Sequence, residues 1–117
     1  MAEGFAIPLH VHTGEDESFF LLDGTVRFQA GDEVLTRTVG GSLHVPAGQL
    51  HSFRVASPEA RFLTVATGRF EAMVSSLGRP AVAGTLPPQT PPTAAEMDAL
   101  VEACVAHGNE FRGPAVA

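Results

Sequence analysis

Short runs of apolar residues, broken at regular intervals by turn formers, fill the first 67 positions of the chain. Residues 4–12, 18–22, 25–29, 34–39, 42–45, 50–55 and 61–67 read as seven strands. Asp23-Gly24 reads as a hairpin turn between the second and third, Gly31-Asp32-Glu33 turns into the fourth, and Pro46-Ala47-Gly48 breaks the run before the sixth. Strands this short, spaced about 8–12 residues apart, predict an antiparallel sandwich or barrel. Pro8 has no N–H to donate, so the first strand should carry a bulge or lie at an edge. Runs apolar on both faces, such as Phe19-Phe20-Leu21-Leu22, predict one face turned inward and the other packed on a helix or a second subunit.

After Gly68 the period changes. Phe70, Met73, Val74 and Leu77 recur at helical spacing, predicting a helix over 69–77 that stops at Gly78. Residues 79–92 hold five prolines and read as an irregular linker. Thr93-Ala94-Ala95-Glu96 is a capping box that opens a second helix. Its apolar face comprises Met97, Leu100, Val101, Cys104 and Val105, and Gly108 ends it. Met97 and Cys104 are expected in the core. The chain thus divides into a β core, 1–68, and a C-terminal helical extension, 69–117, within one domain of 117 residues.

Composition narrows the function classes. The net charge is −6, all seven cations are Arg and none is Lys, so there is no basic stripe to track phosphates and no nucleic-acid partner is expected. Cys104 is the only cysteine, which rules out an intramolecular disulfide and fits a reducing compartment. No apolar run approaches the roughly 20 residues of a membrane helix, and the N-terminus lacks the pattern of a signal peptide. A cytoplasmic protein is the expectation.

The chemistry concentrates between residues 8 and 51. His10 and His12 are two apart in an extended run, so both imidazoles project from one face and reach one point. Glu17 follows beyond the polar turn Thr13-Gly14-Glu15-Asp16, at the head of the next strand, and His51 stands just after Pro46-Ala47-Gly48. Three imidazoles and a carboxylate suit a divalent first-row transition metal with coordination positions left open. Glu15 and Asp16 are carboxylates adjacent to Glu17, and a shift of register would substitute one of them. Counting alternation from Glu17 places Phe19 and Leu21 on its face as pocket residues, and Phe53 shares the face of His51. His44 is expected to be a packed or interface residue, and His107 to be solvated.

These residues resemble the cupin superfamily. Its first motif, H-x-H-x3,4-E-x6-G, is carried by His10, His12, Glu17 and Gly24; its second, G-x5-P-x-G-x2-H-x3-N, by Gly40, Pro46, Gly48 and His51, with Val55 where the motif ends in Asn. The C-terminal helices and closing Glu110-Phe111-Arg112-Gly113-Pro114 are similar to small single-domain cupins of the bacterial quercetin-2,3-dioxygenase-like kind. The resemblance implies an all-β, jelly-roll type cupin barrel with short C-terminal helices. It implies one metal ion per chain (Fe, Mn, Ni, Cu, Co or Zn) on His10, His12, Glu17 and His51.

The implied activity is a dioxygenase acting on a small planar chelating substrate, flavonol- or polyketide-like, with Glu17 as catalytic base. The alternatives are an isomerase or polyketide-type cyclase that uses the metal without O2, and a non-enzymatic small-molecule-binding cupin. Relatives of this kind carry a few tens of residues before the first motif, whereas nine precede His10. The barrel edge is therefore expected to be open, or covered by the partner in a homodimer.

Overall fold

The computed structural model describes residues 1–87 and 90–117; positions 88 and 89 of the proline-rich linker lie outside the described residues. Seven strands follow the alternation closely: β1 (Ala6–His12), β2 (Glu17–Asp23), β3 (Val26–Ala30), β4 (Glu33–Arg37), β5 (Ser42–Val45), β6 (His51–Val55) and β7 (Arg61–Ala66). They are followed by α1 (Phe70–Leu77), α2 (Ala94–Ala106) and an eighth strand, β8 (Asn109–Gly113). The strands form two antiparallel sheets, β4-β3-β6-β1-β8 and β5-β2-β7. The architecture is a jelly roll of two facing sheets, without a continuous hydrogen-bonded ring of strands.

Alternation decides which residues enter the core. Phe19 and Leu21 of β2 point inward while Phe20 and Leu22 point out, and Val26, Phe28, Phe53 and Val55 meet them from the large sheet. Phe19, Phe28, Phe53 and Phe62 form one aromatic group with ring centroids 5.2–6.4 Å apart, several of them edge to face. Pro8 sits where the β1–β6 register shifts between Ile7 and His10, the bulge that a missing N–H requires.

Two expectations are corrected. Asp23-Gly24 is no hairpin turn: β2 and β3 belong to different sheets, and the pair is the corner between them. Gly24 has φ +78°, and a Cβ there would lie 2.2 Å from the Glu59 carbonyl oxygen, so the corner tolerates no side chain. The hairpin is the next turn, Gly31-Asp32, where Ala30 pairs with Glu33.

The second correction concerns the edge of β1. It is not open: β8, which sequence periodicity left as tail, pairs along Leu9–His12 and makes β1 an interior strand. The tail continues over the sheet, where Val116 N donates to Ser52 Oγ at 3.0 Å and Arg54 Nε donates to the Val116 carbonyl at 2.8 Å.

Both helices fall where expected, and α2 opens with both hydrogen bonds of the capping box, Glu96 N to Thr93 Oγ1 and Thr93 N to Glu96 Oε2. α2 packs on β8 and α1. Leu100 and Cys104 face inward, whereas Val101 and Val105 are exposed.

Gly24 and Gly48 share a left-handed φ but differ in surroundings: nothing lies within 4 Å of a Cβ at Gly48. Gly48→Ala should therefore cost only the backbone term, about 1–2 kcal/mol, while Gly24→Ala adds a steric clash and costs several kcal/mol more. Equal shifts of the urea midpoint in the two variants would contradict this account of the corner.

Candidate metal centre

The ligands reach the centre from three strands. On β1, His10 and His12 share the inward face by i, i+2 alternation; His51 opens β6 directly opposite His10 in the antiparallel register. Glu17 opens β2 in the facing sheet. The four side chains meet between the sheets, each no more than 9 % exposed. One nitrogen from each of His10, His12 and His51 lies within 4.8 Å of the other two. His10 Nε2 and His12 Nε2 are 3.1 Å apart, and Glu17 places Oε2 3.2 Å from His51 Nε2 and Oε1 3.7 Å from His12 Nε2.

The backbone sets two tautomers. His10 Nδ1 lies 2.7 Å from the Pro8 carbonyl oxygen and His51 Nδ1 lies 3.1 Å from that of Gln49. A carbonyl only accepts, so both Nδ1 atoms carry the proton and both Nε2 lone pairs aim at the centre. Burial, with the neighbouring His51 and His12 adding to it, lowers the His10 pKa to about 4, against the opposing pull of the Pro8 carbonyl and Glu17. Burial also lowers the His12 pKa, with Glu17 opposing it. At neutral pH these two residues are therefore uncharged, the state a metal ligand needs. Converging nitrogen lone pairs beside a carboxylate are a poor arrangement on their own and a good one around a cation, so the donor set fits a divalent transition ion.

Beside the centre lies a cavity of about 300 Å³. Phe19, Phe53 and Phe62 wall it from the sheets, and Phe70, Met73 and Leu77 of α1 wall it from above. The Phe70 ring stands edge-on to His12 at 5.6 Å. Phe19 and Phe53 thus lie where the sequence puts them. Leu21 does not: it shares their face but is packed in the core beyond the cavity, because alternation assigns a face and not a depth. The α1 residues, Phe62, Asn109 and Phe111 also line the cavity and were not singled out; Phe111 is carried by β8, whose pairing with β1 no local period announces.

The remaining candidates lie elsewhere. His44 is exposed on the outer face, its Nδ1 2.8 Å from Ser18 Oγ. His107 is half-buried at the end of α2 and hydrogen-bonds the Ala103 carbonyl at 2.7 Å, where solvent was expected. Of the adjacent carboxylates, Asp16 accepts from Ala47 N at 2.7 Å, and Glu15 is buried behind His12. Only Glu17 of the three lies against the inward Nε2 atoms.

The chain is similar to known proteins in sequence and fold. Quercetin 2,3-dioxygenase of Bacillus subtilis (strain 168) is 32% identical over 79 residues, which is 67% of this chain but 23% of the dioxygenase. A Thermus thermophilus protein of solved structure matches with 32% identity and a TM-score of 0.54, over 57% of this chain and 65% of that one. Oxalate decarboxylase from Bacillus subtilis matches with 25% identity and a TM-score of 0.51, over 56% of this chain and 18% of its own. The family model for the cupin domain matches residues 1–68, more than half of the sequence. With its two-sheet jelly roll and its histidine triad, the chain belongs to the cupin family.

Proposed function

We propose that His10, His12, His51 and Glu17 hold one divalent transition metal ion and that the protein is a dioxygenase acting on a small, planar, chelating substrate of flavonol or polyketide type. The observation that carries this reading is the juxtaposition of two surfaces: inward-facing imidazoles and a carboxylate at one side of a cavity whose other walls are phenylalanine and aliphatic side chains. A flat apolar molecule with an oxygen-bearing edge fits both. The partial relationship to a quercetin dioxygenase supports the same chemistry. A small dianion such as the oxalate of the decarboxylase relative has little to recommend it against walls of this kind.

The metal, when bound, supplies Lewis-acid polarisation of a chelating oxygen and, if redox-active, an electron path to O2. The chain supplies the rest. Glu17 is placed to take the proton of a substrate hydroxyl, the event that makes an enol electron-rich. Phe19, Phe53, Phe62 and Phe70 offer apolar contacts to the substrate rings, and α1 and α2 flank the cavity. The isomerase or cyclase alternative uses the same polarised oxygen and the same proton transfer without O2. The position of Glu17, able to act as base as well as ligand, keeps it the second reading.

A homodimer is proposed to form on the outer face of the β5-β2-β7 sheet, where Phe20, Leu22, Leu63 and Val65 are exposed together on paired strands. A cytoplasmic location is proposed from the single buried thiol, Cys104. No helix among the described residues is long and apolar enough to cross a membrane.

Elemental analysis with an oxygen electrode tests the central reading. The wild type should carry about one redox-active metal per chain and consume O2 with a flavonol, and His51→Ala should lose both while staying folded; full metal content in His51→Ala contradicts the ligand set, and zinc alone with no O2 uptake favours the isomerase or cyclase. Acid should weaken the metal-stripped fold. His10 titrates near 6.5 unfolded and about 4 folded, so the unfolded chain binds the extra proton first and stability falls between those values as pH drops, by about 3 kcal/mol from this group. Urea midpoints should show that slope and His10→Gln should flatten it; identical slopes would refute the assignment. In gel filtration the wild type should elute at twice the 12.2 kDa chain mass and Leu63→Glu at the single mass, whereas a monomeric wild type excludes the dimer.

A further inference from the structure

Behind the metal centre, three buried polar atoms have no hydrogen-bond partner among the described residues: His12 Nδ1, Glu15 Oε2 and Asn109 Oδ1. They belong together. His12 Nδ1 and Glu15 Oε2 are 3.9 Å apart, and Asn109 on β8 pairs with His12 across the strand register. Glu15 is 5 % exposed and Asn109 3 %. An unpaired buried acceptor is destabilising, and more so when it is charged. Of the three atoms only the imidazole nitrogen can donate, so one N–H directed at the two oxygens relieves the group.

We propose, on the reading that His12 is a metal ligand, that Glu15 is a positioning residue: with Asn109 beside it, its carboxylate is the charged acceptor for the His12 Nδ1–H, favours the tautomer that turns Nε2 to the metal, and ties that ligand to helix α1. His10 and His51 obtain the same service from backbone carbonyls. His12 lacks one; the Asn109 side chain and the buried Glu15 carboxylate face its Nδ1 side instead. A ligating imidazole oriented by an oxygen behind it binds metal more tightly, and loss of that oxygen costs about 10–100-fold in affinity.

The link to α1 comes from the other carboxylate oxygen. Glu15 Oε1 accepts from Arg69 N at 3.2 Å, at the N-cap of α1, where a negative charge is favoured. Gly68 makes this approach possible: its φ is +67°, and a Cβ there would stand 3.0 Å from Glu15 Cγ. The flanking residues lock the segment, with Asp16 N donating to Thr67 Oγ1 and Thr67 N donating to the Asp16 carbonyl. One side chain therefore spans from a ligand to the helix that carries Phe70 and Met73 into the cavity. A residue of the turn at 13–16 becomes the joint between metal capture and the cavity wall.

The test is a Co(II) titration of metal-stripped full-length protein, read by d–d absorption, for the wild type, Glu15→Gln, Glu15→Ala and Glu102→Ala, the last an exposed charge-matched control. Glu15→Gln keeps shape and an acceptor but not the charge, and should bind about 3–10-fold more weakly with shifted bands. Glu15→Ala should bind about 10–100-fold more weakly, and the control should match the wild type. Glu15→Gln binding as the wild type, or as weakly as Glu15→Ala, overturns the proposal, as does a loss of metal-free stability with no change in Co(II) affinity. Should Glu15→Ala fail to fold, the comparison of wild type with Glu15→Gln decides alone. Wild-type protein that takes up no Co(II) removes the metal reading as well, whereas normal wild-type uptake with unchanged variants removes only the role of Glu15.

Discussion

Burying three imidazoles and a carboxylate between two sheets of apolar side chains is the constraint on which this molecule depends. Each polar atom taken from water needs a partner, and the partner's placement decides which way the ring faces. The bulge at Pro8 supplies a carbonyl to His10, and the turn before β6 supplies one to His51. The irregularities of the strands are therefore part of the site: a perfect ladder would have committed those carbonyls to a neighbouring strand. Every Nε2 that is left points to the same place.

The same constraint relates fold to cavity. The aromatic group of Phe19, Phe28, Phe53 and Phe62 fills the space between the sheets on one side of the polar centre, and α1 and α2 cover the other. Between them remains a space bounded by carbon on most sides and by nitrogen and carboxylate oxygen on one. Glu17 lies at that polar side, against the inward Nε2 atoms of His12 and His51.

Much of this was legible because it is local. Period-two alternation and turn formers placed seven strands, and i, i+2 spacing put His10 and His12 on one face. Capping chemistry placed α2 to the residue. What was not legible depends on long-range pairing. Asp23-Gly24 has the composition of a hairpin, but only the packing of Glu59 against Gly24 shows that the chain turns a corner between sheets. Strand β8 is too polar to announce itself, and exists because β1 offers it an edge. Leu21 followed the right alternation into the wrong depth, and Phe70 and Met73 reached the cavity through a helix whose docking the sequence does not state. Glu15 was legible only as a substitute for Glu17 under a shift of register; its burial behind the Nδ1 of His12 depends on the folded turn.

The central claim is that the ligand nitrogens of His10, His12 and His51 converge on one ion. X-ray absorption spectroscopy of the cobalt- or nickel-loaded protein tests it most directly, because imidazole rings give multiple scattering that water and carboxylate do not. The account predicts three imidazole nitrogens with the remaining positions oxygen, at the roughly 2.0–2.2 Å typical of such ligands. A first shell containing sulfur from Cys104 or Met73, both of which line the cavity, or one with a single imidazole, would contradict it.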